Sequence, residues 1–467
     1  MATGIASVGV RAKVEELAAF ASGARWDVLS PATVSALKVR LLDALGCALG
    51  ALSAGPVRAV RVLTESLGGN PLATLIGGGM SSPDRAAFYN GAAVRYLDFN
   101  DAYLAPHETC HPSDNVAPLL AAAEYSGASG RDFLTALAVA YQVQCRLSDV
   151  APVRAKGFDH TVQGVYASAA GAARAMGLTA GEAASAIAIA GTAQNALRVT
   201  RTGELSQWKG LAFPHAAMNA VHAALLAQYG ITGPLAVFEG NKGLEDAITG
   251  PFEIDWSRED LERVTRTVLK RYNAEIHAQS AVEGLLALRR DTGLPASELA
   301  SITLDTFQVA FQIIGGGEEG GKKLVRTKEE ADHSLPYMLA AAYLDGELGP
   351  AQYAPERIAR GDVQDLLQRV GVRPDPAYSA RFPQEMACRV TLRTRGGQSR
   401  TVEQRDYPGF TTRPLSWEEA TDKFYALARS VDPRRAREIV DAVSRLEELP
   451  ISDLTSLLAS VRIVKEE

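Results

Sequence analysis

The stretch His107-Glu108-Thr109-Cys110-His111 fits the pattern H-E-x-x-H, in which two imidazoles four apart on a helix meet one zinc ion and the glutamate acts as base. Pro112 follows directly and disfavours helical backbone at His111, and no amphipathic run surrounds the five residues. The expectation is therefore a polar loop without metal. His111 stands before Pro112-Ser113-Asp114-Asn115, and His160 follows Asp159 ahead of a long small-residue run. Both positions read as helix N-termini with Ser113 to Asn115 and Asp159 as caps, where the positive end of the helix attracts anions and depresses a histidine pKa. A neutral imidazole beside a bound carboxylate is a usable general base. The plainer reading is that each only decorates a cap.

Other segments add charge. Lys209 sits in a Trp-Lys-Gly break before a helix, a place for a surface lysine or for one that binds carboxylate. Lys270, Arg271, Glu275 and His277 crowd the start of an amphipathic run. Asp98 and Asp101 lie in LDFNDAY, where they orient imidazoles or cap a turn. His107 reads as solvated loop, His215 and His222 as helix surface or filler, and His333 is open.

The elements that must position these groups come in two textures. VSALKVRLLDALGCALGAL (34–52), RDFLTALAVAYQVQCRL (131–147), TVQGVYASAAGAARAMGL (161–178), GEAASAIAIAGTAQNAL (181–197) and HAAMNAVHAALLAQYG (215–230) are helices whose Ala and Gly faces allow close packing. After about residue 265, ASITLDTFQVAFQII (300–314) reads as a strand and 387–406 as a hairpin around Gly396-Gly397. SLPYMLAAAYLDG (334–346) is helical again, and Ser416-x-x-Glu419 makes a capping box for a helical tail. The fold class is mainly α: a large all-helical domain (1–265), a smaller α+β lid domain (266–409), and a helical C-terminus (410–467) returning to the first. IIGGGEEGGKK (313–323) lacks a G-K-[ST] ending, so it reads as a mobile surface loop rather than a phosphate loop.

A chain of 467 residues, 22% charged and 47% hydrophobic, reads as soluble and globular. Its net charge of −6 and lack of a Lys/Arg cluster argue against nucleic acid as partner. Four scattered cysteines without a C-x-x-C pair fit a reduced cytoplasm. Met1 to Ser30 carries Arg11, Lys13, Glu15 and Glu16 and so lacks the apolar core of a secretion signal, and no run is long enough to cross a membrane.

LDFNDAY with HPSDN, GFDHTVQG, the WKG break before HAAMNA, KRYNAEIHAQSAVEG, KEEADHSLPYMLAAAYLDG and DYPGFTTRPLSWEE, in this order along nearly the whole chain, resemble the MmgE/PrpD family. That family contains 2-methylcitrate dehydratases, cis-aconitate decarboxylases and iminodisuccinate epimerases. The resemblance implies a helical domain with an α+β lid, a homodimer, and a cleft holding a di- or tricarboxylate substrate without metal or organic cofactor. By motif it places the active-site aspartate on Asp98, the histidines on His111 and His160, and the lysines on Lys209 and Lys270. The dehydratase-like spelling A-E-x-H matches Glu275 and His277, where the decarboxylase branch has its histidine at the position of Glu275. Asp101, Arg271, Phe311 and His333 complete the expected substrate-binding set. Ala102 stands where many members have Thr, and Phe311 where the decarboxylase has tyrosine.

The shared chemistry is proton transfer beside a carboxylate, which needs a base on the carbon and cations on the carboxylate. The expected roles are His111 as base with Asp98 orienting it, and His160 or His277 protonating the departing hydroxyl. Lys209, Lys270 and the helix N-termini would hold carboxylates. The expected reaction is dehydration of 2-methylcitrate to 2-methyl-aconitate. A decarboxylase or an epimerase with two opposed bases is the alternative within the family. A non-catalytic homodimeric small-acid binding protein is the alternative of another class.

Overall fold

The computed structural model describes residues 11–463. The leader reading over Met1 to Ser30 falls partly on the first ten residues, which lie outside the described ones; from Lys13 to Gly23 the chain is a helix that buries Val14, Leu17, Ala18 and Ala21.

Two apolar cores organise the chain. One gathers residues from Val14 to Val264 together with Phe424 to Val461, nearly all in helical or connecting segments. The other gathers Val268 to Phe410 and takes only Ala102 from outside that stretch. The first is a pile of helices, chiefly Pro31–Ala51, Pro83–Tyr96, Val116–Ser126, Gly130–Val150, Thr161–Ala175, Ala180–Ala193 and Ala212–Gln228. Their small residues act as expected: a Cβ added at Gly164 would lie 2.1 Å from the ring of Phe213, and one at Gly191 would lie 2.1 Å from that of Tyr166. The missing side chains are thus the space into which the next helix packs. Helix starts follow cap chemistry, with Ser30 accepting from Thr33 N and Thr179 and Glu182 forming a capping box. The helix expected over 181–197 stops at Ala193, where Gln194 leaves the helical region with φ −118° and ψ 71°.

In the second core a four-stranded sheet runs in the order Val370–Pro374, Leu299–Thr306, Cys388–Thr394, Ser399–Gln404. The first pair is parallel and the others antiparallel. The hairpin turns at Gly396-Gly397, with Gly397 at φ 83°, as its sequence requires. The strand expected over 300–314 is only half a strand: Leu299–Thr306 pairs in the sheet, and Gln308–Ile314 is a helix. FQVAFQII alternates apolar residues on paper, yet Ala310, Ile313 and Ile314 are the buried set, and that spacing belongs to a helix.

The chain ends in further helices. The helix Trp417–Leu427, opened by the Ser416/Glu419 capping box, lies on Pro31–Ala51, where Phe424 Cα comes within 3.2 Å of the position a Cβ on Gly46 would take. All four cysteines are buried and free. Among the described residues no helix is long and apolar enough to cross a membrane.

Candidate functional site

Arg95 occupies the last turn of Pro83–Tyr96, and three residues later Asp98 takes a left-handed φ of 52°, which L-residues adopt at a cost. That bend aims its carboxylate at a buried group of cations. Asp98 Oδ1 accepts from Arg95 Nη1 at 2.6 Å and from Lys270 Nζ at 2.7 Å. Asp98 Oδ2 accepts from Lys209 Nζ at 3.1 Å, while Lys270 also donates to the Asp98 carbonyl at 2.6 Å. Asp332 continues the network, accepting from Lys209 at 2.7 Å, Lys328 at 2.6 Å and His333 Nδ1 at 2.9 Å. Burial alone would push the Asp98 carboxyl up, but Arg95, Lys270 and Lys209 together hold it well below the usual range. Burial pushes the Lys209 ammonium down, with Asp332 and Asp98 opposing. Arg95, Lys209, Lys270 and Lys328 outnumber Asp98 and Asp332, and the nearby Asp114 carboxyl is pushed up to about 7 by burial. The surplus is positive and suits an anionic ligand. Lys209 and Lys270 each spend two of three N–H donors on these contacts.

His111 follows a short strand, Thr109–Cys110, and stands at the head of the 3-10 turn Pro112–Asn115 that leads into Val116–Ser126. Its Nδ1 lies 2.7 Å from the carbonyl oxygen of Asp101. A carbonyl can only accept, so Nδ1 carries the proton and Nε2 is left as a bare lone pair. Asp101 is itself fixed, its carboxylate accepting from Ser113 N at 3.0 Å and Tyr141 Oη at 2.8 Å. The partner of His111 is therefore the Asp101 main chain and not Asp98, whose oxygens are committed to cations. The expected side-chain caps from Ser113 to Asn115 are also not made; Asn115 instead donates to Gln144 and accepts from Ser168.

His160, at the head of Thr161–Ala175, packs edge-on to His111 with ring centroids 5.4 Å apart. Its Nδ1 is 3.4 Å from Asp159, which is clamped by Arg201 Nε at 2.6 Å and caps Thr161 N at 3.2 Å; Nε2 is buried without a partner. Burial, reinforced by Arg95 and Lys270, holds the His111 pKa well below the ordinary value. Burial likewise lowers His160 to about 3, with Asp159 opposing and Arg201 and Arg95 adding. Both imidazoles are neutral at pH 7, through burial and cations more than through a helix end.

His277 lies in the turn Ile276–Ala278 before Gln279–Thr292. Glu275 accepts from its backbone N and sits against its Nδ1, each at 2.8 Å, and Nε2 faces Thr109 Oγ1 at 3.5 Å, two residues from His111. Phe307 and Phe382 wall the ring at 5.8 and 5.7 Å between centroids. Burial would raise the Glu275 carboxyl, but His277 beside it holds it down at about 2.

Of the residues named from the sequence, Asp98, Lys209, Lys270 and His333 thus form one charged cluster, and Asp101, His111, His160, Glu275 and His277 are buried around it. Arg271 stays outside: its side chain is exposed, and only its backbone N is held, by Gln279. Phe311 is half-buried on Gln308–Ile314, against Gly317. Ala102 is used through its backbone, bridging to Val268 with two 2.8 Å hydrogen bonds that tie the segment after Asp98 to the second core. Arg95, Lys328 and Asp332 were not singled out from the sequence. Arg95 alone carried a local signal, its position three before Asp98.

The zinc motif is dismantled by its own geometry. His107 is exposed, Thr109–Cys110 is extended, and the Glu108 carboxylate accepts from Val153 N and Arg154 N. Asp98, Asp332 and His333 do converge as a metal site would, yet their carboxylate oxygens already hold Arg95, Lys209, Lys270 and Lys328, and a divalent cation would add charge to a site with a positive surplus. A cavity of about 480 Å³ bounded by Thr109, Arg154, Val309, Gln312 and Phe382 opens beside Thr109 and the His277 ring, within the size range of small-molecule sites.

A family model described as the MmgE/PrpD N-terminal domain matches residues 15–257, and one described as the MmgE/PrpD C-terminal domain matches residues 272–448. A 2-methylcitrate dehydratase of Cupriavidus necator is 30% identical, the match covering 93% of this chain and 95% of that protein. A 2-methylcitrate dehydratase of Escherichia coli K12 is 29% identical over 89% of this chain and 91% of its own length. A cis-aconitate decarboxylase of Mus musculus is 27% identical over 82% of this chain and 80% of its own.

Proposed function

The chain belongs to the MmgE/PrpD family and is an enzyme of the hydro-lyase type, and from that premise we propose that it eliminates water from 2-methylcitrate to give 2-methyl-aconitate. The observation that carries the reading is the fixed tautomer of His111. With Nδ1 tied to the Asp101 carbonyl at 2.7 Å, Nε2 is a neutral base beside cations able to hold the carboxylate on which charge develops. His111 takes the proton from the carbon beside that carboxylate, and Lys209 and Lys270 bind the developing charge with their remaining N–H donors. His160, held neutral by burial, does not carry the extra proton a general acid would give up near pH 7. The acid that protonates the departing hydroxyl is then His277, with Glu275 on Nδ1 turning Nε2 toward Thr109. Asp98 gathers the cations and does not orient the base.

Glu275 and Phe311, standing where the decarboxylase branch has histidine and tyrosine, support dehydration over loss of carbon dioxide. A second reading has its own support: two neutral imidazoles 5.4 Å apart also suit two-base epimerisation. The proposal includes a division at 265 and 409, supported by the separate apolar cores, a homodimer, to be checked by sedimentation, and no metal.

The test is proton NMR in deuterium oxide, using chelator-treated enzyme with 2-methylcitrate isomers, citrate, cis-aconitate and iminodisuccinate. Loss of water from a methylcitrate isomer is the expected result. Deuterium exchange without net product favours the epimerase, carbon dioxide from cis-aconitate the decarboxylase, and thermal stabilisation by an acid that is never consumed a binding protein.

A further inference from the structure

The glycine-rich segment 313–323, expected as a mobile surface loop, is pinned to the site at two places. Glu319 is buried, its Oε1 accepting from Arg198 Nη2 at 2.6 Å and Arg154 Nη2 at 3.2 Å, both from the helical core. Three residues on, the Lys322 carbonyl accepts from Ser334 Oγ at 2.5 Å, next to His333. Gly316 and Gly320 at φ 102° and 97° make the bends that bring both side chains inward. Between these anchors the Lys322 side chain is buried, the residue only 7% exposed.

Among the described residues the Lys322 ammonium has no hydrogen bond and no ion pair, although every other lysine of the cluster is tied to carboxylate oxygens. The charges that act on it are Glu319, Lys209, Glu275 and Asp332, which places it within reach of both the Lys209–Asp332 pair and Glu275. The side chain is buried while its ammonium keeps an accessible edge and all its donors, so a ligand anion reaching it meets a cation already largely stripped of water.

We infer that Lys322 binds a carboxylate of the substrate, as a cation separate from those that hold Asp98 and Asp332. A tricarboxylate has a group to spare for it once Lys209 and Lys270 hold the carboxylate beside the reacting carbon. The glycine loop, held by Glu319 against Arg154 and Arg198, delivers the ammonium. This rests on the proposed function for the substrate class alone.

The test is calorimetric binding of citrate, tricarballylate and succinate to the full chain and to Lys322→Met, alongside melting temperatures and kinetics on 2-methylcitrate. The expected result is citrate affinity reduced roughly ten- to hundredfold, as for loss of a charge-assisted contact, with KM raised, kcat little changed and a melting temperature at or above wild type. Lys322→Arg restores part of the affinity. A purely structural lysine gives the opposite pattern, a lowered melting temperature with unchanged affinity, and that result overturns the inference. If Lys322→Met does not fold, Lys322→Gln and Lys322→Arg carry the same comparison. Turnover of methylcitrate with unaltered KM in the variant sinks the inference alone. Weakened citrate binding without any turnover in wild type sinks the dehydratase reading alone, and wild type that binds none of the acids sinks both.

Discussion

His111 is the residue on which the proton chemistry turns, and its environment sets a testable pH profile. The base must be neutral, and an imidazole is neutral above its pKa. The folded pKa is held well below the ordinary value by burial and by Arg95 and Lys270. The acid limb of kcat/KM therefore falls below about 6.5, the pKa of an unperturbed histidine, and activity persists into acid where an ordinary histidine base would be protonated. Replacing His111 with Ala should lower kcat by roughly a hundred- to ten-thousandfold; steady-state kinetics across the acidic range check both points, and an unchanged rate removes His111 from the mechanism. His111, His160 and Lys209 could be found from sequence because their residue types stand at breaks before apolar runs. Asp332 could not, since its meaning lies in a contact with Lys209 across 123 residues. Arg271 illustrates the reverse, a basic residue in the right motif whose side chain the chain direction turns outward.

At the scale of the element, the returning C-terminal helix does more than fill the core. Lys423, buried on Trp417–Leu427, donates to the Phe99 carbonyl at 2.8 Å and the Lys270 carbonyl at 2.9 Å, and pairs with Asp43 at 2.7 Å. It thus ties Pro31–Ala51 to the residues flanking Asp98 and to the backbone that carries Lys270. Burial raises the Asp43 carboxyl and Lys423 opposes this. Replacing Lys423 with Met strands that carboxyl and should cost about 3–5 kcal/mol in urea unfolding. Adding Asp43→Asn should recover part of the loss through coupling between the neighbours, and a single variant as stable as wild type would contradict this account. The capping box that starts this helix was readable from Ser416 and Glu419 because it is local. The strand-to-helix switch at Phe307 was not, because the same apolar residues satisfy both periods until the packing partner is known.

At the scale of the whole molecule, two apolar cores that share no residue are joined by buried polar contacts. Asp98 is the most connected of them, holding Arg95 and Lys209 from the helical side and Lys270 from the other. Removing its charge leaves Lys270 without a carboxylate and Lys209 with Asp332 alone in a buried space, so the cost falls on the junction and not on either core. All four tryptophans, Trp26, Trp208, Trp256 and Trp417, lie outside 266–409, so their fluorescence follows the helical core alone, whereas far-ultraviolet circular dichroism follows both. In the wild-type chain the junction couples the cores, and the two urea transitions should coincide. In Asp98→Ala the circular dichroism transition should begin at lower urea than the fluorescence one, as the 266–409 unit loosens first; transitions that stay superimposed would mean that the cores are coupled through the Ala102–Val268 bridge and the Glu319 anchors, with the buried charges serving the reaction only.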